Sequence, residues 1–504
     1  NLIHGVQHTG ITWEGTPSYM LEDNRRYNPA GYMGDDENGI AQFYPNESDN
    51  YLQNHYHLIY SRQLVQSLSL NVTGFWIAGE GYYEQYKQGR KLVEYGIPTF
   101  DVNGETIKKV DMIREKCLDN NFYGATFSLN YNKKKLNSTL GGGWNQYKNA
   151  HFGNVLWTSI NINIPNKYEW YRNTGDKQDM NIFLKSTYQA ASNLSLFGDL
   201  QLRTISYKMG GFDDDLQSLT QKHDWTFFNP KGGLLYKINH NQEAFFSVAV
   251  AHREPSRADI KDAMKFGGNN TPKPEQLIDY ELGYKLKTQS FALDANLYYM
   301  DYRDQLVLTG KLSDSGYPLM TNVDNSYRMG IEISSGLIIT SWLKWDANIT
   351  LSENKIKDFV EYVDLYDASW NFVGQKRYEL GNTNISFSPP IVAASQISIE
   401  PIKNLSLAFT SKYIGSQYID NTSNDTRMLD AYFVNNLRVG YKLKVKGTKG
   451  VNFRILANNI FNNSYIANGW VWRAEFNDGS PEYREDGFFP QAGINFMGLI
   501  SVEF

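Results

Sequence analysis

The chain has 504 residues, a formal net charge of −5, and 41% hydrophobic against 20% charged residues. That balance can supply a core, while the acidic excess excludes a nucleic-acid binder, whose affinity rests on Lys and Arg against phosphate. A mean hydropathy of −0.51, with no apolar run near the roughly 18 to 20 residues of a membrane helix, leaves strands as the means of crossing a bilayer.

In chain order, a strand is predicted over 1–12, running outward. The start at Asn1 lacks the basic residues and apolar core of a secretory signal, so the signal, or more than the signal, is expected upstream. His4 and His8 share a face there, but four residues place them about 13 Å apart, too far for one ion. After a long segment at 13–51, a strand over 52–63 sets Tyr56, Leu58 and Tyr60 against His55 and His57. Two imidazoles on one side are weak candidates for a metal or haem. With no third ligand in view, no metal site or cofactor is assigned.

The long segment 80–118 carries Tyr82, Tyr83 and the sole cysteine, Cys117. One cysteine forms no internal disulfide and no Cys-rich metal site. In the next strand Tyr123, Ala125, Phe127, Leu129 and Tyr131 alternate with Gly124, Thr126, Ser128 and Asn130. Further long segments follow at 148–177, with Trp170, and at 208–227. The latter holds Asp213, Asp214 and Asp215, oxygens that could meet calcium but lack the spacing of a calcium loop.

Past 253–276, the strand over 278–287 opposes Ile278, Tyr280, Leu282, Tyr284 and Leu286 to Asp279, Glu281, Lys285 and Lys287. No soluble core would sit opposite those charges. Long segments at 310–326, 355–389 (with Trp370) and 418–430 (with Asp420, Asp425 and Asp430) precede a strand that sets Leu437, Val439, Tyr441 and Leu443 against Arg438, Gly440 and Lys442. The last long segment, 464–490, contains Trp470, Trp472 and Arg473. The closing strand, 494–504, again alternates, with Ile494, Phe496, Ile500, Val502 and Phe504 on one side.

Short turns at 65–67, 132–135, 191–193, 239–242, 287–290, 341–344, 401–404 and 446–450 interleave with the long segments. Alternating short and long connections are those of periplasmic turns and extracellular loops. The fold class is therefore all-β, an antiparallel transmembrane barrel over 1–504, with about 18 strands visible of the roughly 22 that a plugged importer uses. The 35 Tyr, 27 Phe and 11 Trp supply girdles at both interfaces.

Exposed aromatics and Arg anchor ligands, so Trp470, Trp472, Arg473, Tyr82, Tyr83 and Trp370 are the substrate-binding candidates. Girdle or loop packing competes at each of them. No nucleophile elbow, zinc-protease motif or phosphate loop is present, so no catalytic residue is assigned and the chain is not read as an enzyme.

Several segments resemble the barrel of TonB-dependent outer-membrane receptors, particularly those of Bacteroidota. They include Arg253-Glu254-Pro255-Ser256-Arg257, Lys273-Pro274-Glu275-Gln276, Asp279-Tyr280-Glu281-Leu282-Gly283-Tyr284-Lys285, Leu297-Tyr298-Tyr299-Met300-Asp301-Tyr302-Arg303-Asp304-Gln305 and Asn458-Asn459-Ile460-Phe461-Asn462-Asn463. The terminal Phe504 is similar to an outer-membrane assembly signal. The resemblance implies active import of a scarce small molecule, led by iron complexes such as siderophores or haem. It implies as partners outer-membrane lipid, TonB with its inner-membrane energising complex, and an N-terminal plug segment, with a surface lipoprotein as a further candidate. The family's plug and TonB box are not visible before Asn1, so a plug and about four earlier strands are expected upstream or on a separate piece. A passive porin and a secreted or surface glycan-binding β protein are the competing readings.

Overall fold

The computed structural model describes residues 1–102, 104–265, 271–312 and 318–503. Where the sequence alternates, strands form. First come β1 (Leu2–Gly10), β2 (Ser48–Val65), β3 (Leu68–Lys91), β4 (Lys109–Lys133), β5 (Leu136–Thr158), β6 (Tyr168–Gln189), β7 (Leu194–Gly211), β8 (Gln221–Lys237) and β9 (Gln242–Arg253). There follow β10 (Glu275–Lys287), β11 (Phe291–Leu312), β12 (Pro318–Thr340), β13 (Leu343–Tyr366), β14 (Ile391–Ile402), β15 (Leu405–Ile414), β16 (Tyr432–Leu443), β17 (Gly450–Asn458) and β18 (Asn495–Glu503). With Phe372–Asn384, Ile466–Phe476 and Tyr483–Pro490 these make a 21-stranded sheet among the described residues. All eight short turns fall between consecutive strands of this sheet, which has 21 strands among the described residues where about eighteen were expected. Phe504 lies outside the described residues.

Two compact units are present: one of Asn1–Glu14, Asn28–Tyr188 and Gly198–Pro230, the other of Gly15–Tyr27, Gln189–Phe197 and Lys231–Phe504. In the first, β1 to β6 pair antiparallel in sequence order. One side carries exposed Tyr56, Leu58, Tyr60, Trp76, Phe127, Leu140, Trp144, Ile182 and Leu184. His55 and His57 lie on the other. The 24 residues of β3 and 25 of β4 far exceed the roughly 9 to 11 that cross a bilayer. Their far ends close over a buried cluster of Leu92, Tyr95, Val110, Met112, Val155, Trp170 and Tyr171.

That corrects the segments read as loops at 80–118 and 148–177, much of which is strand. Beyond the bilayer the two sides no longer meet oil and water respectively, so the hydrophobic contrast fades from the sequence while the backbone ladder continues.

In the second unit β9 to β13 follow one another in antiparallel register. The ladder continues from β13 through β14, β15, β16 and β17 to β18. Tyr280, Leu282, Leu297, Tyr299, Ile397, Tyr441, Ile500 and Val502 are exposed along the apolar side. On the polar side the Phe245 ring lies over Gly283, where a Cβ would come within 1.9 Å of it. Between β9 and β10, Ser256 and Asp259 bracket the start of a helix, Arg257–Lys265. Ser256 N donates to Asp259 Oδ2 (2.7 Å) and Asp259 N donates to Ser256 Oγ (3.2 Å), the reciprocal capping of an Ser-x-x-Asp start.

Candidate substrate-binding site

The long segments of the second unit build a sheet outgrowth on the end of β13. Residues 355–366 pair antiparallel with Phe372–Asn384. Asp364, Leu365 and Tyr366 also pair, in parallel, with Ala474, Glu475 and Phe476, and Ile466–Phe476 pairs antiparallel with Tyr483–Pro490. The register slips between Ile356 and Phe359, where Asp358 has φ 51°. At the tip, Asp367 Oδ1 accepts from the Ser369 and Asn371 amides, each at 2.9 Å, and Trp370 adopts φ 62°. A bulky residue with positive φ persists only where its surroundings hold it.

Successive strand residues point to opposite sides, so Trp472 and Arg473, neighbours in sequence, serve different faces. Arg473 Nε and Nη2 donate to Glu361 Oε1 and Oε2 at 3.0 and 2.7 Å. Its Nη1 reaches Glu475 at 3.2 Å and Glu482 at 2.5 Å. Arg427, whose side chain is 7% exposed, pairs with Asp420 at 2.8 Å and Glu361 at 3.3 Å. Tyr378 donates to Glu475 (2.6 Å), as does Lys376 (3.0 Å), and Arg484 pairs with Asp486 (3.1 Å). Burial pushes Glu475 up, yet the bonds from Tyr378 and Lys376 outweigh it and hold the carboxyl below its ordinary value. Burial disfavours the Arg473 charge, but Glu361 and Glu482 more than restore it.

These groups surround a cavity of about 300 Å³ lined by Arg427, Arg473 and Arg484, by Glu361 and Glu482, and by Tyr378, Thr422, Asn424 and Thr426. The lining holds three guanidiniums to two carboxylates. Asp420, Glu475 and Asp486 compensate from outside it.

The opposite face is aromatic. Trp370 packs edge-on against Phe476 (5.0 Å between centroids) and Tyr483 (4.9 Å). Tyr366 meets Trp370 at 5.6 Å and Phe372 at 5.9 Å, and Trp472 meets Tyr483 at 5.9 Å. Trp472 Nε1 donates to Asp364 Oδ2 (3.4 Å). A bond to Glu485 and burial push Tyr483 up to about 12.

Of the sequence candidates, Trp370, Trp472 and Arg473 thus meet in one outgrowth. Trp470 is half-buried on the same strand. Tyr82 and Tyr83 stand on β3 in the first unit, Tyr83 edge-on to Trp13 at 4.8 Å. The His55 and His57 rings are 5.8 Å apart, and His55 Nε2 bonds Gln53 Oε1 at 2.9 Å. His4 and His8 bond Asn54 and Asn50 at 2.7 and 2.5 Å. The Asp213, Asp214 and Asp215 oxygens lie within 4.8 Å of one another, with Lys116 paired to Asp214. The reading from sequence missed Glu361, Tyr378, Arg427, Glu475, Glu482 and Arg484, and placed Asp420 only within a long acidic segment. Their partners are as far apart as Glu361 and Arg473, and no local motif marks such pairs.

A large antiparallel sheet with apolar side chains exposed along one side, tight turns at one end and long outgrowths at the other defines an outer-membrane β-barrel. The chain belongs to the TonB-dependent receptors: the family model described as TonB dependent receptor-like, beta-barrel, matches residues 5–462. It is an outer-membrane protein, its apolar side facing lipid and its polar side the lumen, and the family couples to TonB and handles small molecules. No curated protein matches the chain in sequence.

Solved structures share the fold. The ferric-catecholate import receptor Fiu of E. coli K12, in closed form, is 14% identical and aligns with TM-score 0.67 over 100% of this chain and 71% of its own. The ferric citrate transporter FecA is 13% identical, with TM-score 0.69 over 100% and 67%. The copper transporter OprC is 14% identical, with TM-score 0.62 over 100% and 76%.

Proposed function

We propose that residues 1–504 serve as the barrel of an importer for an anionic metal complex, with an iron complex such as a siderophore or haem as the leading cargo. The observation that carries this reading is the family match over residues 5–462; the lumen-side cavity adds Arg427, Arg473 and Arg484 as candidate donors, which cargo oxygens would share with the carboxylates now paired to them. Arg presents planar, always-charged donors suited to carboxylate, catecholate or phosphate oxygens, and partial burial strengthens that attraction. The ferric and copper cargoes of the structural neighbours agree with this class. Tyr378, on the lining beside Arg473, adds an aromatic ring to the charged pocket. In this reading TonB and its energising complex act on a plug segment that occupies the lumen, because a barrel of this width leaves an aqueous channel unless something fills it.

The test is uptake of radiolabelled ferric siderophores and haem by whole cells with and without TonB, beside Arg473→Gln. Uptake should require TonB and fall at least about tenfold in the variant, the loss expected of one charged contact. Uptake that persists without TonB would overturn the import reading in favour of a passive channel.

A further inference from the structure

We propose that the aromatic face of the outgrowth is a carbohydrate-binding surface that holds the sugar chains of the outer-leaflet glycolipid around the barrel. The side on which these rings lie carries the argument. On β13 the lipid-facing side runs through Trp345, Ile349 and Leu351 and then turns charged at Glu353, Lys355 and Lys357. One extra residue between Ile356 and Phe359 transfers that side to the even-numbered positions, as in any bulge of this kind. Phe359 joins Ile356 in a cluster on the other side. Tyr362, Asp364 and Tyr366 therefore continue the outer wall.

Nine residues separate Glu353 from Tyr362, about 30 Å of strand at roughly 3.3 Å per residue. With a tilt of about 40°, that is about 23 Å of height above the first charged position. Hydrocarbon does not reach there, whereas the sugar chains of an outer-membrane glycolipid do.

The chemistry fits a sugar. Tyr362, Trp370 and Phe372 are 54%, 48% and 60% exposed, and such rings would be a liability in water without a regular occupant. Flat aromatic faces stack against the C–H side of a pyranose, and the hydroxyls at its rim need acceptors and donors nearby. The exposed Gln375 and Glu485 provide them: the Gln375 amide is held by its bond to the buried Asp364 at 2.8 Å, and Glu485 accepts from Tyr483 at 2.7 Å and, as a carboxylate, can accept more. Trp370 is held by the Asp367 turn, so little ordering is lost on binding. The surface lies on the face opposite the Arg-lined cavity, so it does not depend on the import reading.

The full-length receptor in detergent micelles would be titrated with oligosaccharide released by mild acid from the glycolipid of its own membrane. Saturation-transfer NMR reports sugar contact, and tryptophan fluorescence reports the shelf. Trp370→Ala and Tyr362→Ala should each weaken binding at least about tenfold, as for an aromatic anchor. Trp370→Tyr should recover most of it. Heat-modifiable mobility on gels verifies that each variant is folded. Absence of saturation transfer, or equal affinity in parent and Trp370→Ala, would overturn the proposal. So would a co-purifying protein, lost in Trp370→Ala, in place of sugar binding.

Discussion

Replacing Glu361 by Gln removes one charge from the centre of the Arg cluster while keeping its volume. Glu361 accepts three bonds, from Arg473 at 3.0 and 2.7 Å and from Arg427 at 3.3 Å. Charge-assisted bonds contribute about 1.5 to 3 kcal/mol each, and breaking a buried pair outright costs about 3 to 5 kcal/mol. The full sum does not apply. Arg427 keeps Asp420 at 2.8 Å, Arg473 keeps Glu475 at 3.2 Å and Glu482 at 2.5 Å, and the amide retains one acceptor oxygen. A cost of about 2 to 4 kcal/mol remains, borne by the docking of 466–476 onto β13 and not by the membrane-embedded strands. At about 1.4 kcal/mol per tenfold this raises local opening about 30- to 700-fold. Hydrogen exchange on the receptor in micelles should show it at 466–476 and at 420–429, with β10 and β11 unchanged. Glu482→Gln is the control: that carboxylate is 39% exposed, and its loss should cost under about 1 kcal/mol. Equal exchange in parent and Glu361→Gln, or equal effects of the two substitutions, would refute the assignment of Glu361 as the hub.

Leu282→Arg puts charge on the lipid side at a position 53% exposed in the protein and should cost about 2 to 4 kcal/mol of folding into lipid vesicles; Glu281→Gln, its lumen-side neighbour, should fold like the parent, and equal yields would reverse the sides. Gly283→Ala should destabilise by about 1 to 3 kcal/mol, because the new Cβ meets the Phe245 ring at 1.9 Å; the check is the urea midpoint of vesicle-folded protein, with Phe245→Leu expected to restore it. Because Glu475 lies below its ordinary value, the stability it lends is present above its unfolded value and disappears only as pH falls through the depressed folded value. Proteolysis of the outgrowth should therefore be unchanged from about pH 7 to 5 and rise only below the usual carboxylate range near 4.

The membrane-crossing part of the fold was legible because the bilayer imposes a code: lipid on one side of each strand and water on the other write period-2 alternation into 278–287 and 437–443. The turns were legible for a related reason, since polar residues bounded by such strands have nowhere else to go. The outgrowth was not. In 359–366 both sides carry polar and aromatic residues, Glu361 and Val363 on one and Tyr362, Asp364 and Tyr366 on the other, so alternation no longer reports which side is which. A bulge at Asp358 then exchanges the parity, an event with no reliable mark in a single sequence.

The same geometry explains why half the candidate site could be chosen from residue type and the other half could not. Trp370, Trp472 and Arg473 stand out as large side chains in long segments, but their division between two chemistries follows from strand pleating alone. Trp472 turns to Tyr483 and Asp364, and Arg473 turns to Glu361, although one peptide bond joins them. Arg427 reaches Glu361 from the segment after β15, a pairing set by how that segment folds over the outgrowth. A strand that leaves the membrane keeps its hydrogen bonds and loses its solvent code. Both faces then become available for recognition, and in this chain they have diverged into a charged wall toward the lumen and an aromatic wall away from it.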